Sequence, residues 1–479
     1  MSYVFIPAAL HCSHDAGIVV YVKYGSFSDE MLVIEDSPNY SHLRLPDREL
    51  YIVTDSDTSL DMKVFDWDEC VPISPFHKTS NNMPFSDIVM INYVEHYGHF
   101  DRANLNCRKG CIPNRTKVIC DSGGFQLMRG RVDFIEPKNL ANFYNKNADM
   151  GVILDIPLYR TISRDTLKKV CKVQNRNTQE LLNYKDDTVE LVNVCHGYSV
   201  DNYSFYLDTV TIPEIDRLCI AGLYLKDMLS GLSEFIHIVE KWRNHYKHFH
   251  ILGVYNISAL SFYIYLAEKI FPDILITSDA STPLQSARSR LYHHQSEFND
   301  TMQRMIIGSR VNGLKHFNSR RTLPCTCPVC RAIKYMDVFS FLVTNKTTRL
   351  LNAHNMFEID RAVMGLGKIA QQYDWEFYKD LLLKLTKNHR NKDTIKRACR
   401  FMDIYLETGS VEKAEKAVPT QKYNGLFNTY TQFTLTDSNG ETVDFDLQYF
   451  KDRVEEVLKM FTDKKSKETF KIKKAPEWY

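Results

Sequence analysis

Cys325-x-Cys327-x-x-Cys330, followed further along the chain by His354, has the residue types and spacing of a metal site. Three thiolates and one imidazole fill the tetrahedral shell of a zinc ion, and four protein ligands leave no open position for a reactive water. Such a zinc would be structural. A second group of residues suits proton transfer and nucleophilic attack. Asp121 opens Asp121-Ser122-Gly123-Gly124-Phe125-Gln126 directly after the apolar run Val118-Ile119-Cys120. Asp155 follows Val152-Ile153-Leu154, and Asp279 follows Ile274-Leu275-Ile276 in Thr277-Ser278-Asp279-Ala280-Ser281. On residue type alone each has a plainer reading: Asp279 as a helix cap, Asp121 as part of a turn, and Asp155 as a structural residue at a strand end.

The elements that must carry these residues are short apolar runs alternating with amphipathic helical patterns, at intervals of roughly thirty residues, the spacing of a strand-helix unit. The runs are Ile88-Ile91, Val118-Cys120, Val152-Leu154, Leu191-Val194, Leu218-Ile220, His250-Leu252 and Ile274-Ile276. Each ends in a polar residue or glycine: Asn92, Asp121, Asp155, His196-Gly197, Gly222, Gly253 and Asp279. A parallel strand buried on both faces is almost continuously apolar, so functional groups emerge where it stops. In a (β/α)8 barrel all such ends open on one face. One or more further strands, from Tyr3-Phe5 and Leu50-Val53, would close it. The alternative is an open doubly wound sheet, for which no glycine-rich dinucleotide fingerprint is present.

Candidate helices lie at Lys138–Asn147, Arg164–Asn183, Lys226–Tyr246 and Ser258–Ile270. Residues 1–85 are rich in Ser, Asp and Tyr and show no clear repeat. From about Glu358 the pattern is helical and basic, with Lys384, Lys387, His389, Arg390, Lys392, Lys396, Arg397 and Arg400 close together. The expected division is a catalytic barrel over residues 1–357, with a zinc subdomain at about 318–357, and a basic helical extension over residues 358–479.

The composition sets bounds without choosing a function. A chain of 479 residues accommodates one large domain with an appendage, or two to three ordinary domains. With 44% hydrophobic and 25% charged residues it has a globular composition. A formal net charge of +1 argues against a uniformly cationic surface, yet a nucleic-acid enzyme needs only one basic face. No apolar stretch approaches the roughly 20 residues that span a bilayer, so no membrane partner is expected. The start, Met1-Ser2-Tyr3-Val4-Phe5-Ile6, lacks a signal-peptide pattern. The reading is cytoplasmic, with the twelve cysteines reduced.

The Asp-Ser-Gly-Gly-Phe-Gln motif and the Cys-x-Cys-x-x-Cys cluster with its distal His together resemble the tRNA-guanine transglycosylase superfamily. Those enzymes exchange a guanine in a polynucleotide for a 7-deazaguanine base. The resemblance covers about residues 86–356 and implies a TIM barrel with an inserted zinc subdomain. It also implies roles. Asp279 would be the nucleophile that attacks the anomeric carbon and holds the sugar covalently. Asp121 would be the acid or base acting on the exchanged base, with Ser122 binding the substrate beside it and Phe125 stacked on the purine. Asp155 would recognise the ring N–H and exocyclic amine of a guanine-like base. Leaving such a carboxylate unpaired costs on the order of 1–3 kcal/mol, which disfavours adenine.

Other positions match less closely. Val194-Cys195-His196-Gly197 stands where relatives have a Gln-Gly pair, so His196 would bond the base edge through an imidazole in place of an amide, with Gly197 beside it at the substrate; a satisfied core histidine is the alternative. Ala221-Gly222-Leu223 matches a turn whose backbone contacts the purine, and Leu252-Gly253-Val254 the segment covering its other face. Arg288 and Arg290 stand where relatives bind the substrate backbone, and equally suit a solvated helix face. The ligands Cys325, Cys327, Cys330 and His354 match the family's zinc set. The opening segment and the tail depart from the tRNA enzymes and look more like DNA 7-deazaguanine transglycosylases of phages and bacterial modification islands. The expected partner is therefore DNA, with tRNA as the alternative, and a non-catalytic nucleic-acid-binding subunit is the competing class. A homodimer, or a partner that opens DNA, is compatible with this resemblance.

Overall fold

The computed structural model describes residues 3–7, 19–24, 30–32, 52–53, 70–72, 88–97, 117–132, 134–158, 162–197, 199–210, 212–223, 227–254, 257–280, 286–287, 291–294, 309–312, 348–386, 392–419, 433–436, 442–445 and 447–462. Its centre is an eight-stranded sheet. The strands are β1 (Tyr3–Pro7), β2 (Ile88–Asn92), β3 (Lys117–Asp121), β4 (Met150–Val152), β5 (Glu190–His196), β6 (Arg217–Ala221), β7 (His248–Ile251) and β8 (Leu275–Ala280). All pair in parallel. The spatial order is β1-β8-β7-β6-β5-β4-β3-β2, and the two edge strands approach each other. A doubly wound sheet reverses its strand order at a switch point. These strands do not. The order is consistent with a TIM-like fold.

All seven expected runs form strands, with shifts of a few residues. β4 ends at Val152, but the Ile153 N–H still donates to the Val192 carbonyl (3.0 Å), which carries the extended backbone towards Asp155. Tyr3–Pro7 supplies the eighth strand, in register from Tyr3 opposite Ile276 to Pro7 opposite Ala280. Leu50-Val53 does not. Its Ile52–Val53 pairs antiparallel with Val19–Tyr24 in a separate small sheet that also contains Glu30–Leu32 and Cys70–Pro72.

Helices α1 (Pro137–Asn147), α2 (Arg164–Tyr184), α3 (Val200–Val210), α4 (Met228–Trp242) and α5 (Ile257–Tyr265) lie between the strands. α5 continues as a π-helical turn, Leu266–Ile270. Local chemistry sets their starts. Pro137 occupies the first turn of α1, where its missing N–H costs nothing. Ser163 caps α2 by accepting from the Thr166 N–H, and Asp227 caps α4 by accepting from Leu229 and Ser230. Buried Val, Ile and Leu side chains of β3, β5 and β6 meet apolar faces such as Leu167, Val170 and Leu181 of α2 in one continuous core.

The later helices are α6 (Thr348–Gln372), α7 (Trp375–Leu385), α8 (Lys392–Thr408), α9 (Val411–Ala417) and α10 (Leu447–Thr462). α6 runs unbroken through position 357, where the sequence suggested a division. Tyr378 of α7 donates to the Ser261 carbonyl in α5, and Tyr405 of α8 donates to Glu240 in α4, each at 2.8 Å. α10 lies against α2. Its Arg453, 7% exposed, donates to the carbonyls of Leu127 and Val132 at 3.0–3.1 Å. These later helices thus pack onto the helices that flank the sheet, with α10 directly behind the segment that follows Asp121. Among the described residues, no helix is long and apolar enough to cross a membrane.

Candidate active site

Because the strands are parallel, their carboxyl ends assemble on one rim. β3 delivers Asp121 there, the turn after β4 delivers Asp155, β5 ends in His196 and β8 carries Asp279. Asp121 lies opposite Asn92 in the β2–β3 register, and the Asn92 amide donates to Asp121 Oδ2. Burial pushes the Asp121 carboxyl up to about 7, and the nearby charges of Asp155 and Asp279 push the same way; the Asn92 hydrogen bond opposes them. The three acidic residues named from sequence therefore form one electrostatic group.

Both oxygens of buried Asp155 are held. Ser122 Oγ donates to Oδ1 at 2.8 Å, and His196 Nε2 lies 2.7 Å from Oδ2. His196 consequently supports the Asp155 carboxylate in this structure. The glycine pair explains how the motif reaches so close. Gly123 sits at φ +84°, and a Cβ on Gly124 would lie 2.4 Å from Asp155 Oδ1 and 2.6 Å from its backbone oxygen. Only glycine leaves that space.

Asp279 is 9% exposed. Its Oδ1 accepts from the Gly253 N–H at 2.8 Å and faces His250 Nε2 at 3.2 Å. Phe125 is partly buried in the short turn of helix Gly124–Met128, with the Arg129 guanidinium 5.5 Å from its ring centroid. Gly197 and Gly222 adjoin: a Cβ on Gly222 would meet the Gly197 carbonyl at 3.4 Å. Leu223 is buried and Leu252 partly so. Arg288 and Arg290 lie outside the described residues.

Cys325, Cys327 and Cys330 also lie outside them, and among the described residues no cluster of His, Cys, Asp or Glu could hold a metal. His354 is described. Its fully buried ring stacks on Tyr292, with centroids 3.8 Å apart, and its Nε2 is 2.8 Å from the His293 carbonyl oxygen. A carbonyl only accepts, so Nε2 carries the ring proton and Nδ1 the lone pair. That is how a metal-binding histidine is oriented. Asn355 fixes the same place by accepting from the His293 N–H and donating to the Leu291 carbonyl. The residue chemistry fits a zinc ligand.

Sequence reasoning passed over two positions. His250 falls within an apolar run and Thr277 just after one, yet both are buried, His250 facing Asp279 and Thr277 joined to it through His250. The available signal was polar residues at alternate positions, His248 and His250, in an otherwise apolar strand.

No family model matches the chain. A tRNA-guanine(15) transglycosylase of Korarchaeum cryptofilum (strain OPF8) is 23% identical over 286 residues, which is 57% of this chain and 43% of that protein. The chain therefore spans less than half the length of that relative. The similarity supports the superfamily of guanine transglycosylases without reaching a subgroup.

Proposed function

We propose that the chain is a base-exchange transglycosylase that replaces guanine in DNA with a 7-deazaguanine through a sugar covalently held on Asp279. The observation that carries the reading is the differentiated carboxylate group at the strand ends. Asp121 is poised near neutrality at about 7, where it can both give and take a proton. Asp279 has one oxygen anchored by N–H donors. Asp155 is held on both oxygens beside the motif that carries Asp121. Two carboxyls with separate tasks at one glycosidic bond are the chemistry of retaining glycosyl transfer.

In this mechanism Asp279 attacks C1′ of the target nucleotide as the C1′–N9 bond breaks, and the bond's electron pair leaves with guanine. Asp121 supplies the proton that the departing ring takes up. The incoming 7-deazaguanine then returns a proton to Asp121 and attacks C1′, and the Asp279 carboxylate departs. Asp155 selects the base by accepting from its N–H groups, and Phe125 stacks on it. A base inside duplex DNA must first leave the stack. Zinc, held by Cys325, Cys327, Cys330 and His354, would brace the late loops and takes no part in bond making.

The DNA reading rests on the chain's departures from the tRNA enzymes. The second reading, tRNA, is favoured by the substrate in the name of the similar archaeal protein. Incubating the purified protein with DNA or tRNA and a labelled 7-deazaguanine, then analysing the nucleosides, separates them. Label in DNA is expected. Label in tRNA alone overturns the DNA choice, and undiminished exchange by Asp279→Asn overturns the nucleophile.

A further inference from the structure

We propose that His250 is a positioning residue which, together with the Gly253 N–H, pins Oδ1 of Asp279 and thereby assigns the attack on C1′ to Oδ2. The inference rests on the reading of Asp279 as nucleophile. Its basis is a line of buried polar groups behind the rim. The β7–β8 register sets His250 opposite Thr277. Thr277 Oγ1 is 2.8 Å from His250 Nδ1 and 2.7 Å from His248 Nε2, while His250 Nε2 faces Asp279 Oδ1 at 3.2 Å. His248, His250 and Thr277 are all buried.

A single threonine hydroxyl brings one proton to two imidazoles, and this fixes the direction of the line. Nε2 of His250 faces a carboxylate oxygen, so it donates. Its Nδ1 faces the Thr277 hydroxyl, whose O–H is the donor placed to meet it. The Thr277 oxygen then accepts from His248 Nε2–H. Burial, with His250 and Arg217 nearby, holds His248 down at about 3, so that ring carries one N–H only. Every contact then has a donor and an acceptor. A shell of satisfied groups is what holds a reacting side chain in place.

The consequence falls on the torsion that carboxylates leave loose. Rotation about Cβ–Cγ of an aspartate is broad, and an unanchored Asp279 would present either oxygen in a range of directions. Among the described residues both hydrogen bonds go to Oδ1, from Gly253 and from His250. Oδ2 is left for C1′. In the step itself the Oδ2–C1′ bond forms, the C1′–N9 bond breaks and its electron pair leaves with guanine; His250 keeps its proton throughout. A nucleophile displaced by about 1 Å loses on the order of 100-fold in rate.

The test compares His250→Phe, His250→Gln and Thr277→Val with wild type and Asp279→Asn. Two quantities are measured: the single-turnover rate of forming the denaturation-stable protein–polynucleotide adduct, and KM for the incoming base. His250→Phe should lower the adduct rate by about 10- to 100-fold with KM unchanged. Glutamine, whose amide N–H reaches the place of Nε2, should restore most of it, and Thr277→Val should fall between. Thermal unfolding of each variant is followed in parallel, because a merely structural role would make the rate loss track stability and would not separate phenylalanine from glutamine. That tracking, or wild-type rates in His250→Phe and Thr277→Val while Asp279→Asn forms no adduct, overturns the inference alone. Adduct formation by Asp279→Asn overturns the nucleophile reading and the inference together.

Discussion

Replacing Asp121 by asparagine keeps the shape of the side chain and its partner Asn92 but removes a carboxyl held up at about 7 against an ordinary 3.8. A carboxyl whose folded value lies above its unfolded value makes the folded state bind the extra proton. Stability is then greatest below the unfolded value and falls as pH rises, through the window from about 4 to about 7. One unit corresponds to about 1.36 kcal/mol, so the whole loss is on the order of 4 kcal/mol. Most of it falls between pH 5 and 8, where about 3 kcal/mol is expected. Burial is the main cause, and proximity to Asp155 and Asp279 adds to it. Urea unfolding of both proteins at pH 5 and pH 8 measures the difference between their pH dependences, which cancels the titrating groups that do not interact with Asp121 and leaves Asp121 with its effect on Asp155 and Asp279. Infrared difference spectra supply the second readout: a carboxyl band titrating near 7 in wild type and missing from Asp121→Asn. Parallel pH dependences in the two proteins, with no such band, would refute the electrostatic account of this site. Exchange activity of the variant should fall by about 10²- to 10⁴-fold, the contribution of a positioned acid or base.

Gly124→Ala should cost at least about 10-fold in exchange, because its Cβ would drive into the Asp155 carboxylate and backbone; KM for the base, the quantity Asp155 governs, is the parameter to measure. Arg453→Ala should destabilise the protein by about 2–4 kcal/mol by stripping the carbonyls of Leu127 and Val132 of a buried donor. Urea unfolding checks it, and an unchanged midpoint would detach α10 from the account. The purified protein should carry about one zinc per chain, and His354→Ala should lose it; full zinc occupancy in that variant, by elemental analysis, would remove His354 from the ligand set.

The sequence by itself determined the strand-helix rhythm and the carboxylates, since buried parallel strands must be apolar and must end in whatever groups meet solvent. That rule places Asp121, Asp155, His196 and Asp279 at strand ends from residue type alone. It did not reveal which of two early segments would complete the sheet. Tyr3–Pro7 and Ile52–Val53 are both short and apolar, and only pairing with β8 distinguishes them. Nor did it show α10 reaching back, across more than three hundred positions of chain, to hold the segment behind Asp121. The Asp121 carboxyl owes its raised value to burial and to two acidic residues far away in sequence, neither of which a motif contains. His250 reads as a polar residue in an apolar strand until the β7–β8 register sets it beside Thr277 and Asp279. Residue type and period are local properties carried by the chain, whereas register, burial and the direction of a hydrogen bond exist only once distant strands are brought together.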